Sequence, residues 1–130
     1  KKKIQSQPLK AVMDCMKFET SSPKAEMDCM KFEINLISAS NLEDVGNIFK
    51  MMKVFAKVSV GGNPSAHKRT PVDRHGKRNP AWNFTTKYTI NKSAVMHDGT
   101  MLIIKLYCKQ CLRDRYIGEV HVSLKELFKR

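Results

Sequence analysis

Two cysteines in YCKQCLRDRYIGEV, residues 107–120, stand at a spacing that metals and redox couples use. A Cys-x-x-Cys pair can cycle between dithiol and disulfide when one thiol is activated at a helix N-terminus. It can also supply half of a zinc site, which needs four ligands, usually as two close pairs. The remaining cysteines, Cys15 and Cys29, are far apart in sequence, and His67, His75, His97 and His121 form no pair at ligand spacing. The residues ahead of Cys108, TMLIIKLYC, read as a strand rather than a helix start. Reduced thiols at a strand end and in the loop after it are the reading these positions support.

The second chemical signal is charge. The chain of 130 residues carries a formal net charge of +12. Residues 50–92 hold ten basic residues and a single acid, Asp73, whereas 27–49 and 93–130 together hold eight of each sign. An excess concentrated in one segment points to an anionic partner: lipid headgroups, nucleic acid or an acidic protein. Nucleic-acid binding would need exposed aromatics interleaved with the cations. Aromatics are 8% of the chain and a core needs most of them, so this reading is disfavoured. Catalysis is not expected, because no nucleophile elbow, phosphate loop or paired-carboxylate spacing occurs.

The elements that must carry these residues follow a period of two. Residues 31–38, 53–61, 67–73, 82–90, 100–108 and 115–122 read as six short strands joined by turns such as GGNP and HGKRNP. In KVFAKVSVG, Val54, Ala56, Val58 and Val60 face one way and Lys53, Phe55, Lys57 and Ser59 the other. SLKELFKR (123–130) reads as a short helix with Ser123 and Glu126 at capping-box spacing. Such a pattern predicts an all-β antiparallel sandwich with one short helix near the C-terminus.

Upstream, MDCMKFE occurs twice at an offset of 14 residues, at 13–19 and 27–33. The second copy runs into a strand pattern. The first runs into Thr-Ser-Ser-Pro, which reads as a terminator. Residues 1–26 are therefore expected to be a disordered tail carrying a partial duplication of the domain start, with the domain at 27–130. No run of 18 apolar residues occurs, and the basic start KKKIQSQPLK is not followed by the apolar stretch of a secretory signal.

Taken together, NLISASNLEDV, FKMMKVFAKVSVGG, KRTPVDRHGKRNPAWNF, LIIKLYCK and DRYIGEVHVSLKEL resemble a C2 domain. The resemblance is closest to the small plant C2 proteins of the cold-regulated and copine-associated (BON-associated) kind. It covers roughly residues 27–130. Asn79-Pro80-x-Trp82-Asn83 is its most specific part, because Asn-Pro makes the turn and Trp82 enters the core at the next strand. Ile-Gly-Glu-Val at 117–120 is the second marker. The family implies a Greek-key β-sandwich of eight strands, so a chain with six is expected to lack its last two strands at the C-terminal end.

Calcium-binding members of the family hold the ion with aspartates from loops at one end of the sandwich. Calcium takes six to eight oxygen ligands and needs their negative charge. In this chain Asp44 stands at the first such position, Lys53 falls at the next, and the later loop offers only Asp114. These two carboxylates, opposed by Lys53, Lys109, Arg113 and Arg115, are degenerate calcium-loop positions. Neither a metal nor any other cofactor is expected. The resemblance also implies binding of anionic membrane lipids through basic residues on the concave face. Lys53, Lys57, Lys68, Arg69, Arg74, Lys77, Arg78 and Lys87 are the candidates. It further implies a protein partner, copine-type or other, in stress or defence signalling. The location expected is cytoplasmic, peripherally associated with membrane. A protein adaptor with no lipid role is the alternative.

Overall fold

A computed structural model of the chain describes residues 16–42, 52–61, 67–97 and 99–128. Two four-stranded antiparallel sheets face each other. The first contains β1 (Met16–Thr20), β2 (Lys24–Glu26), β3 (Cys29–Ala39) and β6 (Ala81–Asn91). The second runs β5 (Lys68–Arg69), β4 (Val54–Val60), β7 (Met101–Cys108), β8 (Arg115–Ser123). Alternation dictates the core. Ile34 and Leu36 from β3 meet Val54, Ala56 and Val58 from β4, Leu102, Ile104 and Leu106 from β7, and Val120 and Val122 from β8. Each large aliphatic side chain buried this way contributes roughly 1.5–3 kcal/mol.

Residues 16–26 are not a tail, which corrects the expected boundary. They form one arm of a broken hairpin whose other arm is β3. Both β1 and β2 pair with β3 along one edge, and β6 takes the opposite edge. Between β1 and β2 the ladder continues through Ser21. Its N–H donates to the Glu33 carbonyl at 3.0 Å, and its Oγ accepts from the Glu33 N–H at 2.8 Å. The hydroxyl thus replaces a ladder partner where Thr-Ser-Ser-Pro reads as a stop. The duplicated MKFE segments lie on the two arms, and the turn falls at Met27 and Asp28, where the domain was expected to begin. With these two strands the described residues hold eight strands rather than six.

Two further differences have local causes. The strand expected at 67–73 shortens to Lys68–Arg69. Pro71 has no N–H, and Thr70 closes the gap by side chain: its Oγ1 accepts from Ala56 N–H at 2.9 Å. A short helix, α1 (Lys92–His97), was not expected. The Asn91 side chain caps it, accepting from the Ser93 N–H at 2.8 Å. The C-terminal helix, α2 (Leu124–Phe128), stands where its capping pattern placed it, with Glu126 N–H donating to Ser123 Oγ at 3.4 Å.

Candidate functional site

The basic segment divides between two places. The first is the end of the sandwich where β3 and β7 finish and β4, β6 and β8 begin, as the pairs Ser38↔Ala81, Val54↔Cys108 and Cys108↔Arg115 require. Three stretches meet there: residues 40–42, residues 70–80, and residues 109–114. Asp73 organises the second. Its carboxylate accepts from the N–H groups of His75 (3.2 Å), Gly76 (2.6 Å) and Ala81 (3.2 Å). Gly76 is required at this turn, since a Cβ would meet the Asn79 carbonyl oxygen at 2.4 Å. The turn is tied to the end of β3 by Asn79, whose side chain accepts from the Asn41 N–H at 2.8 Å. Trp82 then reaches across to the other sheet, donating Nε1–H to the Val54 carbonyl at 3.1 Å. A bulge at β3 and β6 and a positive φ at Asn83 (47°) aim it there.

Lys53, Arg74, Lys77 and Arg78 from the sequence analysis sit at this end, together with Lys109 and Arg113. Arg78 is partly occupied, because its Nε–H donates to the Leu42 carbonyl at 2.5 Å. Leu112 stands at the tip of the 109–114 connection with 99% of its surface exposed. Asp114 accepts from the Gln110 N–H at 3.4 Å and lies 3.9 Å from Lys109 Nζ. Asp44 lies outside the described residues. Among the described residues no group of three or more His, Cys, Asp or Glu could hold a metal ion. Cys108 is buried at the end of β7 and Cys111 exposed in the loop.

The second place is the outer face of the second sheet. Cross-strand register puts Arg69, Lys57, Lys105 and Glu119 in one row, and Phe55, Tyr107 and Tyr116 in the next. The rings stack: Phe55 on Tyr107 at 5.6 Å and 16°, Tyr107 on Tyr116 edge-to-face at 5.8 Å. Lys57 Nζ lies 4.8 Å above the Tyr107 ring, and the Arg69 guanidinium 4.0 Å from the Phe55 centroid. Phe55 is fully buried although it points outward, because Tyr107 and Arg69 cover it. A cation held over a ring keeps its outward hemisphere open to an anion.

At the end of the first row, Glu119 accepts from Tyr116 Oη at 2.7 Å and pairs with His121 Nε2. Burial works against ionisation of Glu119. Hydrogen bonds from His121 and Tyr116, with the positive field of His121 and Lys105, outweigh it and hold the carboxyl below its ordinary range. Burial, and then the bond to Glu119, push the Tyr116 phenol up.

Two expected members do not join the row. Lys87 belongs to β6 in the first sheet, where it faces Glu33 with Nζ and Oε2 3.8 Å apart. Lys68 neighbours Arg69 on a two-residue strand, so the two point to opposite faces. Conversely, Lys105, Tyr107 and Tyr116 were missed as site residues. The signal was present in MLIIKLYC: a lysine inside an apolar alternating strand must point away from the core.

A family model for the C2 domain matches residues 30–130. The chain belongs to the C2 domain family. This C2 domain is 39% identical over 97 residues to Protein SRC2 of Glycine max, covering 72% of this chain and 33% of that protein. It is 30% identical over 95 residues to the Protein SRC2 homolog of Arabidopsis thaliana, covering 72% of this chain and 29% of that one. The chain thus spans about a third of the length of these curated relatives. Among solved structures it superposes on a C2 domain of RIM from Drosophila with a TM-score of 0.65 at 18% identity, covering 85% of this chain and 86% of that one. The likeness to a solved C2 domain confirms the antiparallel sandwich. No helix among the described residues is long and apolar enough to cross a membrane.

Proposed function

We propose that this C2 domain attaches reversibly to anionic phospholipid surfaces without calcium, as a binding module rather than an enzyme. One observation carries the reading. Lys57 and Arg69 on the outer face of the second sheet rest on aromatic rings, with no carboxylate at ion-pairing distance among the described residues. Lys105, next in the row, faces Glu119 instead. The loop end adds Lys53, Arg74, Lys77, Lys109 and Arg113 around the exposed Leu112.

Each cation brought to an anionic leaflet contributes about 1 kcal/mol. Burying a leucine contributes roughly 1.5–3 kcal/mol more. Together these suffice for peripheral association. Calcium independence is supported by the occupation of the carboxylates at this end: Asp73 serves three N–H groups, and Asp114 serves Gln110 and Lys109. A cytoplasmic location and a protein partner, copine-type included, in stress or defence signalling belong to the same reading.

The test is flotation with neutral vesicles and with vesicles containing phosphatidylserine and phosphoinositide, each in calcium and in chelator. Equal binding to the anionic vesicles in both conditions is expected. Binding only in calcium overturns the calcium-independent reading. A folded protein that binds neither vesicle overturns the lipid reading and leaves the protein adaptor.

A further inference from the structure

A carboxylate stands in the row of cations on the outer face of the second sheet. Register runs Arg69, Lys57, Lys105, Glu119 across four neighbouring strands. Directly opposed side chains on one face are neighbours, so Lys105 has Lys57 on one side and Glu119 on the other. Glu119 is not a mobile surface acid, since its side chain is 19% exposed. Oε1 accepts from Tyr116 Oη at 2.7 Å, and Oε2 pairs with His121 Nε2. His121 shares the outer face because it lies two residues along the strand. Tyr116 lies three residues back, which in a regular strand is the opposite face. The register shift between Leu106 and Tyr107 re-aims it, so that Tyr116 comes outward and its hydroxyl meets Glu119.

The cations of the row therefore differ. Lys57 and Arg69 lie over rings, which leave their charge undiminished. Lys105 faces an anion fixed from both flanks. A glutamate on an open surface can swing into water, but this one is held where it offsets the lysine opposite. Its other partners are a phenol and an imidazole, so Lys105 is the permanent cation it faces.

We propose that Glu119 is a built-in restraint on the anion-binding face: held by Tyr116 and His121, it withholds Lys105 from the membrane surface and leaves the row's attachment to Lys57 and Arg69. The inference rests on the lipid reading above and concerns how strongly the face binds.

Flotation of the full chain on vesicles containing phosphatidylserine and phosphoinositide, with charge-matched variants, tests this. Glu119→Gln keeps the side-chain shape and removes the charge. It is expected to raise partition about fivefold, the contribution of one further cation at an anionic surface. Glu33→Gln makes the same change in net charge beside Lys87 on the outer face of the first sheet, and is expected to change partition by less than about twofold. Lys105→Gln in the parent is expected to cost less than about twofold, because that charge is already offset. In the Glu119→Gln background the same substitution is expected to cost about fivefold.

Thermal unfolding shows whether each variant is folded at the assay temperature. Lys105→Gln in the parent leaves the bonds of Glu119 to Tyr116 and His121 in place, so it decides the matter even if Glu119→Gln does not fold. Equal gains from Glu119→Gln and Glu33→Gln overturn the proposal, since net charge would account for both. So does a loss of about fivefold from Lys105→Gln in the parent, which would mean that this lysine is already engaged. A parent that binds no anionic vesicle overturns the lipid reading instead. The restraint then stands if Glu119→Gln binds them and falls if it does not.

Discussion

On the outer face of the first sheet, Lys87 faces Glu33 and Lys31 reaches Glu26 at 3.1 Å. On the outer face of the second, Lys57 lies over Tyr107 and Arg69 over Phe55. Both faces carry cations from short strands, yet their capacity for an external anion differs. A lysine opposite a carboxylate is already half-neutralised, although such exposed pairs add little stability. A cation on a ring retains its full charge and is held in one position by the ring's quadrupole. The cross-strand neighbour, and not the number of basic residues, decides which face can recruit an anion.

The largest expected effect tests that contrast. Reversing Lys57 and Arg69 to glutamate should weaken partition to anionic vesicles by about thirtyfold at low salt, whereas reversing Lys31 and Lys87 should change it by less than about threefold. Equal losses from the two sets would break the comparison and reduce the effect to net charge. Tyr107→Ala comes next, because that ring supports Phe55, Tyr116 and Lys57 at once. It should lower stability by about 2 kcal/mol in urea unfolding, a cost that no truncation on the first outer face should match.

Leu112→Ser sharpens the division between face and loop end. It should reduce vesicle partition by about tenfold and leave the midpoint of unfolding unchanged, since the side chain touches water only. An unchanged partition would confine the contact to the face.

The smallest effect is pH-dependent. Glu119 is held below its ordinary 4.5, so it remains ionised in the fold at a pH where the unfolded chain has taken up a proton. Its contribution is present above that ordinary value and is lost as pH falls through the lowered one. Glu119→Gln should therefore lower Tm near neutral pH, and the gap to the parent should narrow as pH falls below 4.5. A gap independent of pH would assign the loss to packing alone.

Much of this was legible before any coordinates. Alternation in KVFAKVSVG placed Val54, Ala56, Val58 and Val60 inside and Lys57 outside, and all of them stand so. Asn79, Pro80 and Trp82 behave as their types require: a turn, a tie to the end of β3, and an indole across the sandwich. Capping chemistry located α2. Local rules were misleading where the satisfying partner is distant. Thr-Ser-Ser-Pro reads as a stop, yet Ser21 continues the ladder because Glu33 lies opposite. Phe55 was assigned to the outer side correctly, but its burial depends on Arg69 and Tyr107 from two other strands.

Periodicity and residue type by themselves determined the class of fold, the inner and outer sides of each long strand and the excess of positive charge, because these depend on neighbours one to four residues away. Tertiary structure alone decided that MKFE at 16–19 is a strand, that Lys87 faces a glutamate, and that Lys57, Arg69 and Lys105 form one row. These depend on cross-strand register, which brings together residues tens of positions apart and gives each charge its partner.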